Sequence, residues 1–183
     1  MSRIVVVYRS KYGATGQYAR WIAEALDAPL VEHAVMKPHR ISDYDIVIYG
    51  GGLYAGGING VELVTKNRCR SLIVFTVGVA VPEDTDYSEI LEKAFSPAQM
   101  EATKVFHLRG GISYSKLSFL HRMMMTAMKK MIEKTPPEGR KSEDASVLAT
   151  YGKDVDFSDR ASIEPLVKYA KRLAGEGLPK GLH

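Results

Sequence analysis

The chain has 183 residues, of which 45% are hydrophobic and 25% charged, and its formal net charge is +4. These values are ordinary for a soluble globular protein and predict a single domain with an adequate core. No apolar run approaches the length of a membrane span, and the start lacks the pattern of a signal peptide. The single Cys69 excludes an internal disulfide and a cluster held only by cysteines, and the five histidines show no metal-ligand spacing. We therefore expect a cytoplasmic protein without a metal site.

The first predicted element is the apolar run Ile4–Tyr8, which is typical of a strand buried on both faces of a parallel sheet. Four further strands are predicted at Leu30–Val35, Tyr44–Tyr49, Ser71–Val77 and Lys104–Leu108. Helices are predicted at Thr15–Leu26, at Val61–Asn67, at Tyr87–Phe95, and from Ser158 or Asp159 to about Ala174. This alternation predicts an α/β fold, a doubly wound five-stranded parallel sheet with helices on both faces. In such sheets ligands bind beyond the carboxyl ends of the strands.

The turn after the first predicted strand is a candidate phosphate site. It consists of Ser10, Lys11, Tyr12, Gly13, Ala14 and Thr15. A helix that starts there points its unpaired amides at the turn, and the two hydroxyls with the flexible Gly13 backbone complete a cradle for a phosphate dianion. The spacing matches neither the triphosphate loop nor the dinucleotide fingerprint. The alternative is an ordinary turn in which Thr15 caps its helix.

Two further loops are predicted at the same edge of the sheet. Glycines in the loop after the third strand let the backbone approach a flat ligand, and an aromatic ring there can stack on it. The residues predicted to lie against such a ring are Gly51, Gly52, Leu53, Tyr54, Val77 and Gly78. For Tyr54 the alternative is a turn tyrosine that shields the core.

A basic, methionine-rich segment follows the fifth predicted strand. Five of the eight methionines lie between Met123 and Met131, and residues 104–141 contain nine Lys and Arg against two Glu. We predict an amphipathic helix over Ser115–Lys134, with one face formed by Leu117, Leu120, Met124, Met128 and Met131. That face can pack on the sheet, or it can lie on an anionic membrane surface or a partner.

The first turn resembles the phosphate loop of flavodoxins, which wraps the phosphate of FMN, through Ser10, Gly13 and Thr15. The Gly52-Leu53-Tyr54 loop resembles the one that packs against the flavin ring, although the third loop, Val77–Asp84 after the fourth strand, lacks the aromatic residue of typical flavodoxins. The order of elements, the Met/Lys helix, and the stretches Gly110–Tyr114 and Tyr151–Phe157 resemble the menaquinone-dependent protoporphyrinogen IX dehydrogenases and their wider flavodoxin-domain group. The resemblance implies a flavodoxin-like fold, FMN as cofactor and redox chemistry.

These observations lead to an expected organisation and function. We expect a single flavodoxin-like domain at 1–174, with an insertion at 112–157 that carries the basic helix, and a flexible tail at 175–183. The expected function is an FMN-binding redox protein, an oxidoreductase that passes electrons between a reduced substrate and a quinone or protein acceptor. The alternatives are a simple electron carrier and a non-redox module that binds another phosphorylated ligand. We nominate no catalytic side chain, because the cofactor does the electron chemistry. Peripheral contact with the inner membrane face through 115–134 is the alternative to packing of this helix on the sheet, and nucleic acid is not expected as a partner.

Overall fold

The computed structural model describes residues 2–54, 56–141 and 143–175. Its strands are β1 (Ile4–Arg9), β2 (Leu30–Glu32), β3 (Ile46–Tyr54), β4 (Gly57–Ile58), β5 (Ser71–Gly78), β6 (Thr103–Arg109), β7 (Gly111–Ser113) and β8 (Asp154–Asp156). Its helices are α1 (Ala14–Leu26), α2 (Glu62–Thr65), α3 (Ser88–Ala94), α4 (Pro97–Ala102), α5 (Phe119–Lys134), α6 (Asp144–Thr150) and α7 (Glu164–Gly175).

The central sheet has the order β2-β1-β3-β5-β6, and all of these neighbours are parallel. This is the strand order of a flavodoxin-like doubly wound sheet, so the predicted fold class is confirmed. Strand β4 adds an antiparallel pair to the end of β3, and β7 and β8 form a separate antiparallel pair. The sequence did not predict these three short strands.

Helices cover both faces of the sheet. On one face α1 and α7 bury Tyr18, Ile22 and Leu166 against the strands, and none of these side chains is exposed. The other face packs against α2, α3 and the short helical turn Pro38–Asp43, whose Ile41 is fully buried. The β-branched run of β1 supplies both faces, because alternate side chains point to opposite sides of a strand.

The carboxyl ends of four strands meet at one edge of the sheet. Arg9 pairs with Gly51, Gly52 pairs with Val77, and Gly78 pairs with Arg109. This alignment brings together the turns and strand ends for which the sequence predicts ligand contacts.

Strand β3 continues well beyond its predicted end at Tyr49. Gly50 and Gly51 pair with both β1 and β5, Gly52 pairs with β5, and Tyr54 then pairs with Gly57 of β4. The glycines accommodate packed neighbours, since a Cβ on Gly50 would lie 2.1 Å from the Phe75 ring. The sequence prediction of a loop that starts at Gly50 is therefore wrong, because residues 50–54 are the end of strand β3 and lead into a hairpin with β4.

The predicted insertion at 112–157 contains most of β7 and the whole of α5, α6 and β8. Helix α5 begins at Phe119 rather than Ser115, because the Ser118 hydroxyl caps it by accepting from the His121 amide at 3.4 Å. The last helix was predicted to begin after Ser158 or Asp159, but α7 begins at Glu164. Asp159 instead caps the short 3-10 turn Arg160–Ile163 before it, by accepting from the Ala161 amide. The flexible tail predicted at 175–183 lies, apart from Gly175, outside the described residues. None of the helices in the described part of the chain is long and apolar enough to cross a membrane.

Candidate functional site

The turn between β1 and α1 leaves the first turn of α1 without a side-chain cap. Gly13 is the residue before the helix, and its φ of 106° lies in the region that favours glycine. Its amide donates to the Ser10 hydroxyl at 3.1 Å, while no side chain caps the helix end. Thr15 is the second residue of α1, so the alternative in which it caps the helix is wrong. The first amides of α1 face the turn, which is the arrangement that binds an anion at a helix N-terminus.

The four strand ends pack closely around this turn. A Cβ on Gly52 would lie 3.3 Å from the Thr15 hydroxyl, and one on Gly110 would lie 3.2 Å from the Ala14 Cβ and 2.4 Å from Val77. Thr15 is nearly buried, so its hydroxyl is held between α1 and β3 rather than left in solvent. The structure thus brings Ala14, Thr15, Gly52 and Val77 together as the sequence predicted.

Leu53 and Gly78 extend the same cluster, since a Cβ on Gly78 would lie 3.0 Å from the Leu53 side chain. A cradle made of a positive-φ glycine, an uncapped helix end and two hydroxyls suits a phosphate monoester. The chain's residues therefore fit the phosphate end of FMN. The contacts that we predict for the individual residues with the cofactor stay a prediction, which this geometry supports.

Tyr54 lies at the rim of the site and is 38% exposed. The Lys11 ammonium lies 4.3 Å from the centroid of its ring, and the hydroxyl of Tyr54 donates to the Met124 sulfur at 3.5 Å. One face of the ring is therefore covered by a cation. A flavin that stacks on Tyr54 uses the opposite face or displaces Lys11.

His121 of α5 connects the insertion to the phosphate turn, and sequence reasoning missed it. The Lys11 ammonium donates to His121 Nε2 at 2.8 Å, the Tyr12 hydroxyl lies against Nδ1, and the Tyr54 and His121 rings pack edge to face. An ammonium has no acceptor, so Nε2 accepts and the neutral ring carries its hydrogen on Nδ1, which donates to Tyr12. Burial, and then the nearby Lys11 charge, lower the pKa of His121, which favours the neutral ring.

The only local signal for His121 was its position three residues after the capping Ser118. A histidine on a methionine-rich helix face gives no indication of a partner more than a hundred residues away. We name Lys11, Tyr12, Tyr54 and His121 the His121 cluster, because their contacts hold α5 over the phosphate turn.

The third loop, after β5, is held by an arginine. The Arg109 guanidinium donates to the Val79 carbonyl at 3.2 Å and lies 3.8 Å from the centroid of the Phe157 ring. The first aromatic residue after this loop in the sequence, Tyr87, is buried and stacks on His107 with ring centroids 3.5 Å apart. Phe157, from the far end of the insertion, is thus the aromatic side chain that the structure links to the third loop.

The structure is similar to several solved flavoproteins. These include a flavodoxin, WrbA-like protein from Agrobacterium tumefaciens (19% identity, TM-score 0.44, covering 63% of this chain and 87% of that one). Oxidised flavodoxin 2 from Bacillus cereus shares 18% identity at a TM-score of 0.43, covering 59% of this chain and 84% of that one. A flavoprotein in complex with FMN from Lactobacillus acidophilus shares 13% identity at a TM-score of 0.38, covering 60% and 93%. Comparison with curated proteins found no match.

The comparison of the sequence with family models gives stronger evidence of family membership than the similarity to solved structures. A family model described as the flavodoxin domain matches residues 5–138, which include β1 except for its first residue, β2 to β6, the phosphate turn and the whole of α5. This match spans well over half of the chain, and it agrees with the strand order and with the cradle after β1. The chain therefore belongs to the flavodoxin-domain family, which confirms the predicted fold and supports FMN as its cofactor.

Proposed function

We propose that this protein is an FMN-dependent redox protein that exchanges electrons at the rim formed by Tyr54. The observation that carries the proposal is the uncapped start of α1, which faces a turn made by Ser10 and the positive-φ Gly13 beside the buried Thr15. Bound FMN supplies one- and two-electron chemistry, so the protein's task is to bind, orient and shield the cofactor.

The chain's own residues divide this task. Ser10, Thr15 and the first amides of α1 hold the phosphate dianion, and Lys11 adds a positive charge beside them. The closely packed ends of β3 and β5 form a rigid floor for the ring, because their backbones are paired up to Gly52 and Val77. Tyr54 forms the exposed edge through which an electron partner approaches.

We further propose that the electron acceptor is a quinone or a protein, with a reduced organic molecule as the donor. The apolar Met124 beside Tyr54 supports an apolar partner at this rim. A porphyrinogen is the donor that the resemblance to the protoporphyrinogen dehydrogenases suggests, and it is the first donor to test.

The experiment begins with the absorbance spectrum of the purified protein and the identity of the flavin released on denaturation. The chemically reduced holoprotein is then mixed with a water-soluble menaquinone analogue, and reoxidation is followed at the flavin absorbance band. Catalytic oxidation of protoporphyrinogen that depends on the quinone supports the oxidoreductase. Reoxidation without any turnover of a donor indicates an electron carrier, and a colourless protein that FMN does not reconstitute contradicts the redox proposal altogether.

A further inference from the structure

Exposed apolar side chains are concentrated on one helix, α5. Among the described residues, five of the eight exposed large apolar side chains belong to it: Phe119, Leu120, Met123, Met124 and Met131. Phe119 is 79% exposed, Leu120 63% and Met131 65%. Large apolar patches on a protein surface mark places where a partner or a membrane binds. We name these five side chains the outer face of α5.

The orientation of α5 keeps this face directed away from the core. His121 and Ile132 are buried on the opposite side of the helix, at 7% and 4% exposure. His121 is held by Lys11 and Tyr12, so the first half of the helix is fixed to the phosphate turn. The core-packing alternative from the sequence therefore fails for Leu120 and Met131, which it placed on the sheet.

The charges on α5 are positive where the outer face lies. At 3.6 residues per turn, Lys130 and Lys134 fall within the arc of the outer face, whereas Glu133 falls outside it. Glu133 is the single acidic residue of α5, and Lys129 pairs with it at 3.6 Å. The outer face thus combines exposed apolar side chains with two lysines and no carboxylate.

We propose that the outer face of α5 docks on an anionic lipid surface. An exposed apolar helix face that also carries lysines is the pattern of a helix that lies in the membrane interface, because lysine side chains extend from the apolar layer to the charged headgroups. A protein partner is the weaker match, since lysine is depleted at the centres of protein interfaces. Docking in this orientation brings the Tyr54 rim to the bilayer through its contact with Met124.

The docking is tested by flotation of the purified protein with vesicles. Binding is expected to vesicles that contain phosphatidylglycerol, to be weak with pure phosphatidylcholine, and to fall at high ionic strength. The double variant Lys130→Gln/Lys134→Gln is expected to lose about 30-fold in partition coefficient, because each lysine near an anionic surface contributes about fivefold. The variant Leu120→Ser/Met123→Ser is expected to lose at least about tenfold, since both side chains are exposed and would enter the bilayer.

A matched control removes the same charge elsewhere. Lys37 and Lys171 are both exposed and lie outside α5, so Lys37→Gln/Lys171→Gln should bind vesicles within about twofold of the parent. Circular dichroism confirms that each variant is folded.

Four results would overturn the proposal. These are no vesicle binding by the parent, equal binding to neutral and anionic vesicles, an equal loss in the control, and a stable dimer that the serine variant abolishes. Only the placement of the flavin at the bilayer rests on the proposed function. Vesicle binding itself needs no flavin, so its failure is distinguishable from a failure to bind FMN.

Discussion

Replacement of Gly13 by alanine tests the phosphate turn most sharply. Gly13 has φ 106° and ψ −37°, and a Cβ on it would meet no atom within 4 Å. The substitution therefore introduces backbone strain without a clash. A side chain held in such a conformation costs about 1–3 kcal/mol.

That cost is divided between folding and cofactor binding. If the turn keeps its conformation in Gly13→Ala, the apoprotein loses about 1–3 kcal/mol of unfolding free energy. If the turn relaxes to a negative φ, the same strain is imposed when FMN binds, and the dissociation constant rises by about 5- to 150-fold. The loss of unfolding free energy and the loss of FMN-binding free energy should add up to the strain energy.

Gly152 provides the matched control. Its φ is 76°, a Cβ on it would also meet nothing within 4 Å, and it lies between Tyr151 and Lys153 rather than in the phosphate turn. Gly152→Ala should lose stability and keep the parent's affinity for FMN. Urea unfolding of the apoproteins and titration of FMN by fluorescence quenching give both quantities. The reasoning would be refuted if Gly13→Ala were as stable as the parent and bound FMN as tightly. It would also be refuted if Gly152→Ala lost as much FMN affinity as Gly13→Ala.

Three further predictions concern the site and the sheet beneath it. Thr15→Val should lower the affinity for FMN by about 10- to 100-fold and leave riboflavin binding unchanged, because it removes one hydrogen bond to a charged phosphate. An equal loss of affinity for both flavins would instead indicate altered packing. Gly50→Ala should lose about 3 kcal/mol or more of unfolding free energy, since its Cβ would lie 2.1 Å from Phe75. The control is Gly175→Ala, which should be tolerated because this position is open. Urea unfolding midpoints compare the two variants, and an unchanged stability of Gly50→Ala would contradict the strand packing. Burial lowers the pKa of His107 from 6.5 to about 4, so the native state binds fewer protons than the unfolded one and stability should fall by about 2–3 kcal/mol as the pH drops through this range. His107→Gln should show a smaller drop in urea unfolding at acidic pH, and an unchanged drop would exclude this histidine as its source.

The fold was predictable because its signals are local. Each parallel strand is a short apolar run with a turn residue after it, as at Ser71–Val77, and such a run needs no knowledge of its neighbours to be recognised. The phosphate turn was predictable for the same reason, since hydroxyl and glycine residues follow one another between a strand and a helix.

The features of the fold and of the site that the sequence did not predict depend on contacts between distant segments. Gly50 to Gly52 resemble a loop in sequence, and they become strand because β5 pairs with all three and β1 pairs with Gly50 and Gly51. His121 acquires its role from Lys11 and Tyr12, which the sequence separates by over a hundred residues. The direction of the methionine face was also beyond local reasoning, because two buried residues of α5 decide which side of the helix is covered.

The central claim is that the turn after β1 binds the phosphate of FMN, and a comparison of FMN with riboflavin tests it most directly. Both flavins share the ring and the sugar chain, so the ratio of their dissociation constants isolates the phosphate. The uncapped amides of α1 and the two hydroxyls would each donate a hydrogen bond to the phosphate dianion. We therefore predict that the apoprotein binds FMN at least about 100-fold more tightly than riboflavin. Equal affinities, or no affinity for either flavin, would contradict the account.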